Sequence, residues 1–269
     1  MPKADWEDRK HGIRLYKGDC LRVLPDLKSA SIDFIFADPP YGHNNNNNDL
    51  IHRRESALGQ TPYGKDSPLG RPILNDGPEA NQLIRSVFPQ WARLLRCCCC
   101  CCCCCCCGGG GPDPQFARWS LWIDEVMHFK QMVVWDKGPI GMGWHYRRSY
   151  ETVLVAQKGK GKTAWFDHSH KIENIIRPGY KGIKKIIPKE GDHPTPKPWE
   201  LAAHFIRLHT RRGQRVLDSF MGGGSTAIAC LETGRKFSGI ELDPVFFAAS
   251  VERIEAWLSA HKTRRKAIA

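Results

Sequence analysis

Cysteine is nearly absent from this sequence outside a single run. All but Cys20 and Cys230 of the 13 cysteines occupy residues 97–107 without interruption. A disulfide framework needs spaced cysteines, so none is expected, and a homopolymer matches every metal-ligand spacing by chance, so no metal is expected either. In a reducing compartment free cysteine behaves as a small buried hydrophobe. The run follows an apolar helical pattern and precedes four glycines, and it therefore predicts a buried strand.

Long apolar stretches are also missing. No stretch approaches the roughly 18 apolar residues that a membrane-spanning helix needs. The first residues of the chain lack the apolar core that a signal peptide requires. We therefore expect a soluble cytoplasmic protein with no membrane partner.

Acidic side chains are scarce relative to basic ones. The 269 residues include 40 lysines and arginines but 28 aspartates and glutamates, which gives a formal net charge of +12. An excess of this size attracts polyanions, so nucleic acid is the favoured partner.

Short β-rich apolar runs alternate along the chain with segments whose apolar residues recur at helical spacing. Strands are predicted at residues 13–16, 31–37, 131–135, 150–156, 215–217 and 236–242. Helices are predicted around residues 21–27, 79–95, 116–129, 201–206, 227–231 and 247–258. This alternation predicts a single α/β domain with a doubly wound, mostly parallel sheet that helices cover on both faces.

Two segments interrupt the alternation. Residues 42–78 lose periodicity and collect asparagine, proline and glycine, which predicts a long mobile loop directly after the second strand. Residues 158–190 contain nine lysines and arginines but three acidic residues. A basic segment of this kind is typical of contact with a nucleic-acid backbone.

The first motif with a chemical meaning follows the strand at residues 215–217. That strand leads into Asp218, a glycine turn with Gly222 and Gly224, and a helix that Ser225 or Thr226 is expected to cap. Glycines let a ligand approach the backbone at the carboxyl end of a strand. Glu241 ends the next strand, about where a carboxylate binds ribose hydroxyls. The pattern predicts a nucleoside-containing cofactor, and a nicotinamide-dependent dehydrogenase would share it.

The second motif is Asp38-Pro39-Pro40-Tyr41, directly after an apolar strand. Consecutive prolines fix the backbone, so the Asp38 carboxylate and the Pro39 carbonyl can point the same way as two acceptors. Tyr41 adds an aromatic face beside them. The arrangement suits a planar base that carries an amino group, which a dehydrogenase would leave unexplained.

These residues resemble the motifs of a known family. The tetrapeptide at Asp38 resembles the catalytic motif of the S-adenosylmethionine-dependent amino methyltransferases of DNA, and the turn from Asp218 to Gly224 resembles their cofactor motif. The segment His193-Pro194-Thr195-Pro196-Lys197-Pro198 resembles the one that precedes the cofactor motif in the β class. The motif order, with catalysis near the amino end, is the circularly permuted β order. The resemblance spans residues 13–258.

The resemblance implies a Rossmann-like methyltransferase fold, S-adenosylmethionine as cofactor, double-stranded DNA as substrate and a homodimer. An aspartate at the head of the tetrapeptide is typical of adenine N6 enzymes, which act on a flipped-out base. The alternatives are a cytosine N4 enzyme, an enzyme acting on an amino group of RNA or protein, and a DNA-binding module without enzymatic activity. Residues 158–192 occupy the place of the family's target-recognition region.

The candidate site residues fall into three groups. The catalytic candidates are Asp38, Pro39, Pro40 and Tyr41. The cofactor candidates are Asp19, Asp218, Phe220, Gly222, Gly224, Ser225 and Glu241, with Thr195 and Lys197 near the methionine part. The candidates for DNA phosphates are Arg53, Arg54, Lys158, Lys160, Lys162, Arg177, Lys181, Lys184 and Lys185.

Overall fold

The computed structural model describes residues 2–42, 73–77, 79–105, 115–138, 149–183 and 197–268, with backbone alone at 101–105, 115–116 and 262–268. Its strands are β1 (Trp6–Asp8), β2 (Ile13–Lys17), β3 (Ile32–Ala37), β4 (Leu95–Cys105), β5 (His128–Asp136), β6 (Tyr150–Gln157), β7 (Ile175–Ile176), β8 (Arg215–Asp218) and β9 (Lys236–Glu241). Its helices are α1 (Cys20–Val23), α2 (Glu79–Leu94), α3 (Gln115–Val126), α4 (Trp199–His209), α5 (Ser225–Thr233) and α6 (Pro244–Ile268). Within these ranges, no helix is both long and apolar enough to cross a membrane.

The strands form one mixed, mostly parallel sheet in the order β1-β2-β9-β8-β3-β4-β6-β5-β7. Neighbours from β2 to β4 run parallel, whereas β6 is antiparallel to both β4 and β5. The chain leaves β3 towards β4 and leaves β8 towards β9, in opposite directions along the sheet. A crevice opens outside the carboxyl ends of the strands at such a switch point. The doubly wound α/β fold is confirmed.

Two apolar layers sandwich the sheet, and β3 contributes to both. Phe34 and Phe36 pack in the layer formed with α4 and α5, while Ile35 packs in the layer formed with α1 and α2. Every residue of β3 is buried. A strand that is covered on both faces needs apolar side chains on both. The sequence of β3 therefore lacks the alternation of apolar and polar residues that is typical of a half-exposed strand.

Two predicted helices end earlier than their apolar spacing indicates. The helix expected at residues 21–27 is α1 followed by a 3-10 turn, Leu24–Asp26, because Pro25 has no amide hydrogen with which to continue the helix. The helix expected to reach Phe129 ends at Val126. Phe129 instead pairs with Ala156 of β6, and its amide donates to the Asp124 carboxylate at 2.8 Å.

The cysteine run forms most of β4, between β3 and β6, as the sequence predicts. Cys99 and Cys100 are buried, whereas Cys97 at the start of the run is exposed. Burial raises the pKa of the Cys100 thiol to about 12, so it stays protonated and packs as a small apolar group.

Asp33, near the amino end of β3, contacts residues at the amino ends of β4 and β8. Its buried carboxylate accepts hydrogen bonds from the Arg215 amide at 2.8 Å and the Gln214 side chain at 3.2 Å, and it also pairs with Arg96. Replacing Asp33 with alanine leaves these donors without their acceptor, so we expect a loss of about 3 kcal/mol in the free energy of unfolding. Urea denaturation measures the change, with exposed Asp26→Ala as the control. Equal stability of the two variants would contradict this role.

Candidate active site

The two chemical motifs meet at the switch point, although 180 residues separate them in sequence. Strands β3 and β8 are paired in parallel, so Asp38, which follows β3, and Asp218, which ends β8, lie at the same edge of the sheet. A cavity of about 810 Å³ opens there and is lined by both aspartates and by Asp19, Tyr41 and Glu241. The fold thus joins the candidate catalytic and cofactor residues in one cleft.

The tetrapeptide forms a turn that a distant carboxylate holds in place. The Tyr41 hydroxyl donates a short hydrogen bond to Asp38 Oδ1. The amides of Tyr41 and Gly42 each donate to Asp76 Oδ1 at 2.8 Å. Asp76 is buried and lies 35 residues after Tyr41 in the sequence, so a carboxylate from a distant segment holds the backbone of the turn.

Three further charged groups surround Asp38. The Lys197 ammonium lies 2.8 Å from Asp38 Oδ2 and 3.2 Å from Glu151 Oε2, and Lys137 lies 2.5 Å from Glu151 Oε1. Burial raises the pKa of the Asp38 carboxyl, Lys197 opposes that rise and Glu151 adds to it. Asp38, Glu151, Lys137 and Lys197 therefore form one cluster of charged groups that lines the cleft.

Sequence reasoning missed Asp76, Lys137 and Glu151. Glu151 left one local signal, since it is a charged residue at the start of the otherwise apolar strand β6. Asp76 and Lys137 left none, because ordinary loop composition surrounds both. Lys197, expected near the cofactor, lies against Asp38 and the Tyr41 hydroxyl, on the catalytic side of the cleft.

The cofactor side of the cleft carries two desolvated carboxylates. Asp218 accepts from the Phe220 amide at 3.0 Å and from the Thr226 hydroxyl at 2.6 Å. Glu241 accepts from the Gly222 amide at 2.7 Å and from the Asp243 amide at 2.8 Å. Burial raises the pKa of each carboxyl to about 7. Additional donors, such as hydroxyl or amino groups, would stabilise the ionised forms.

The glycine turn brings backbone up to the cavity. Gly222 and Gly224 have φ angles of 50° and 76°, a conformation that glycine adopts without strain. A Cβ on Gly224 would also lie 3.1 Å from the Ser250 Cβ. The turn thus needs glycine at this position for two separate reasons.

The expectation that Ser225 or Thr226 caps α5 is wrong. Gly224 is the N-cap, and no side chain bonds to the first turn. Ser225 accepts from Arg253 at 3.1 Å, and Thr226 donates to Asp218. The first turn of α5 therefore begins without a side-chain cap.

Asp19 completes the cofactor side from β2. It is the N-cap of α1, and its carboxylate accepts from the Leu21 amide at 2.8 Å. Gly18 before it donates its amide to the Glu241 carbonyl at 2.8 Å, which joins the ends of β2 and β9. Asp19 and Glu241 consequently line the same wall of the cavity.

The basic candidates separate into two groups. Strand β6 is antiparallel to β4, so the residues after it, Lys158, Lys160 and Lys162, lie at the end of the sheet opposite Asp38. Lys158 also donates to the Leu95 carbonyl at 2.7 Å. Arg177 follows β7, which runs parallel to β5, and is therefore at the same end as Asp38.

Lys181 lies beside Arg177, in the 3-10 turn Tyr180–Gly182 that contacts the start of α4. Several predicted residues and segments lie wholly or largely outside the described residues: Thr195, Arg53, Arg54, Lys184, Lys185 and the loop at 42–78 apart from residues 73–77.

Comparison with known proteins identifies the family. The family of N6/N4 methyltransferases described as DNA methylase matches residues 32–252. Type II methyltransferase M2.DpnII of Streptococcus pneumoniae is 24% identical over 272 aligned positions, covering 92% of this chain and 91% of its own. The solved structure of M1.HpyAVI with SAM has a TM-score of 0.61 at 23% identity, covering 90% of this chain and 98% of its own. The solved structure of PvuII DNA methyltransferase, described as cytosine-N4-specific, has a TM-score of 0.63 at 17% identity. The match covers 89% of this chain and 85% of the PvuII chain. The chain belongs to the N6/N4 DNA methylase family.

Proposed function

We propose that this DNA methyltransferase transfers a methyl group from S-adenosylmethionine to N6 of a flipped-out adenine in double-stranded DNA. The observation that carries the proposal is the placement of the Asp38 acceptor at the floor of a cleft whose other wall holds Asp218 and Glu241. The cleft is large enough for a nucleoside cofactor and a base together, since ligand sites of this kind measure about 300–1,000 Å³. The net charge of +12 suits a DNA substrate.

The residues present fit S-adenosylmethionine. Glu241 and Asp19 offer carboxylates to ribose hydroxyls and to the adenine amino group, while Phe220 offers a ring edge to the adenine. Burial raises the pKa of Glu241 to about 7, so hydroxyl donors from a bound ligand would stabilise its ionised form. The glycine turn lets the ligand approach the backbone at Gly222 and Gly224. When bound, the cofactor supplies the electrophilic methyl group of a sulfonium.

The catalytic residues act on the exocyclic nitrogen, which is a poor nucleophile because its lone pair is delocalised into the ring. Asp38 and the Pro39 carbonyl each accept one of its hydrogens, which directs the lone pair at the methyl group. With S-adenosylmethionine bound, the methyl group would pass to this nitrogen and the sulfonium would be left as a neutral thioether. One amino hydrogen then leaves as a proton to Asp38. Pro40 keeps the turn rigid, and Tyr41 gives the extrahelical base an aromatic neighbour.

Adenine N6 is favoured over cytosine N4 by the aspartate at position 38, through the resemblance of the tetrapeptide to that of adenine enzymes. The fold is shared with the PvuII enzyme, which is described as cytosine-N4-specific, so the fold itself is compatible with both bases. Cytosine N4 is the second candidate because its amino group offers the same two hydrogens to Asp38.

The direct test is transfer of labelled methyl from S-adenosylmethionine to mixed-sequence double-stranded DNA, followed by nucleoside analysis. Labelled N6-methyladenine is the expected product. Labelled N4-methylcytosine would overturn the choice of base and keep the reaction class. Labelled methyl on RNA or protein, and none on DNA, would overturn DNA as the substrate. Cofactor binding without methyl transfer to any of these would favour a DNA-binding module without enzymatic activity. Sedimentation of the active protein tests the homodimer that the resemblance implies.

The location of the basic residues predicts which of them bind DNA phosphates. Arg177 and Lys181 lie at the cleft end, so replacing both with alanine is expected to weaken duplex binding about tenfold at physiological salt and to flatten the slope of log K against log salt. Arg177 also pairs with Glu173, but both side chains are exposed. Exposed ion pairs contribute little free energy, so Glu173 competes only weakly with a DNA phosphate for Arg177. Fluorescence anisotropy measures both quantities.

The matched control removes the same charge from the other end of the sheet. Replacing Lys160 and Lys162 with alanine is expected to change duplex affinity by less than about twofold, since both are exposed on the far side from the cleft. A larger loss for this pair than for Arg177 and Lys181 would show that DNA lies elsewhere on the protein.

A further inference from the structure

The Asp38 carboxylate is already occupied in this structure. Tyr41 donates to Oδ1, and the Lys197 ammonium lies 2.8 Å from Oδ2. Lys197 Nζ also donates to the Tyr41 hydroxyl at 3.2 Å and is 5.4 Å from the centroid of the Tyr41 ring, so it lies directly beside the acceptor. A target amino group needs this carboxylate and the space in front of it. Lys197 therefore has to move when a base enters.

Glu151 offers the displaced ammonium a second position. Its Oε1 is paired with Lys137 at 2.5 Å, whereas Oε2 lies 3.2 Å from Lys197 Nζ, close enough for an ion pair but outside hydrogen-bond geometry. Among the described residues, Oε2 is the buried side-chain polar atom that has no hydrogen-bond partner. A buried acceptor without a donor costs free energy, so a full hydrogen bond from Lys197 would remove that cost.

We propose that Glu151 is a positioning residue that receives the Lys197 ammonium when the amino group of the target base replaces it on Asp38. The inference rests on the proposed function. A buried ammonium needs a counter-ion throughout its movement, and the Asp38 and Glu151 carboxylates lie 2.8 Å and 3.2 Å from Lys197 Nζ. Burial would raise the pKa of Glu151, but Lys197 and Lys137 bring it down to about 2, so the receiving carboxylate is ionised at neutral pH.

The proposal predicts a loss of activity that a second substitution repairs. Glu151→Gln removes one of the two carboxylates that lie within 3.2 Å of Lys197 Nζ and keeps Asp38, so the ammonium competes with the target base for Asp38. We expect kcat/KM on DNA to fall at least about 30-fold. Adding Lys197→Met removes the competitor, and the double variant is expected to be at least about tenfold more active than E151Q alone. The assays are made at pH 8.5, which favours the ionised form of Asp38.

Two further measurements separate this role from a structural one. A variant that merely folds poorly would not be repaired by a second buried substitution, and thermal unfolding reports folding directly. Glu151→Asp keeps the charge and is expected to lose less activity than E151Q, while exposed Glu125→Gln serves as the control for charge. The affinity for duplex DNA, measured without cofactor, should also be lowered more by E151Q than by Glu151→Asp. Base entry precedes methyl transfer, so the competition for Asp38 already affects binding.

The outcomes distinguish the inference from the proposed function. Wild-type kinetics in E151Q, or a double variant no more active than E151Q, would overturn the role of Glu151 while wild-type methyl transfer upheld the function. If the wild-type protein transferred no methyl group to any DNA, both would fail together.

Discussion

Replacing Asp38 with alanine is expected to lower kcat for methyl transfer about a thousandfold, the cost of removing an acceptor that acts on the reacting atom. Asp38→Asn is expected to lose nearly as much. It preserves the shape of the side chain, but a neutral amide oxygen is a weaker acceptor for the amino hydrogen and cannot take up the proton. Single-turnover transfer of labelled methyl to DNA measures both losses.

Cofactor binding provides the control for the Asp38 variants. Asp38 contacts Tyr41 and Lys197, and its charge contributes to the raised pKa of Asp218. Removing it relieves that repulsion, so affinity for S-adenosylmethionine should be unchanged or slightly higher by calorimetry. A variant that binds cofactor normally and still methylates at the wild-type rate would exclude Asp38 from catalysis. Loss of cofactor binding would instead show that Asp38 belongs to the other half of the cleft.

Glu241→Gln is expected to raise the Kd for S-adenosylmethionine at least about tenfold, because hydrogen bonds to a charged acceptor contribute roughly 1.5–3 kcal/mol. The effect depends on pH with a definite sign. Burial places the pKa of Glu241 at about 7 in the cofactor-free protein, and ribose hydroxyls donate to the ionised form. Wild-type affinity should therefore rise between pH 6 and pH 8 and be lost as the pH falls through 7.

The pH profile tests Glu241 more sharply than affinity at a single pH. In E241Q the affinity for S-adenosylmethionine should change less with pH. The pH dependence that remains should come from Asp218, whose pKa is also about 7. Binding to the wild type at pH 7 should also release protons, which calorimetry in buffers of different ionisation enthalpy detects. An identical profile in both proteins would contradict a contact between Glu241 and the cofactor.

The basic residues show where sequence reasoning could not reach. Lys158 and Arg177 belong to the same basic stretch in sequence, yet they lie at opposite ends of the sheet. The difference arises because β6 runs antiparallel to β4, and strand direction is decided by pairing between distant segments. Residue spacing within the stretch contains no record of that pairing, so the count of charges could not separate the DNA-phosphate candidates at the cleft end of the sheet from those at the other end.

The sequence by itself determined the α/β class and the two motifs at Asp38 and Asp218, because turns rich in proline and glycine constrain the backbone locally and leave a readable pattern. Only the tertiary structure decided which distant groups surround those motifs. Asp76 binds the amides of Tyr41 and Gly42, and Lys137 and Glu151 belong to the charged cluster beside Asp38; burial of the whole sheet brings these distant segments together. The environment of the proposed catalytic carboxylate is therefore determined by the fold, whereas its position in the sequence is determined by the motif.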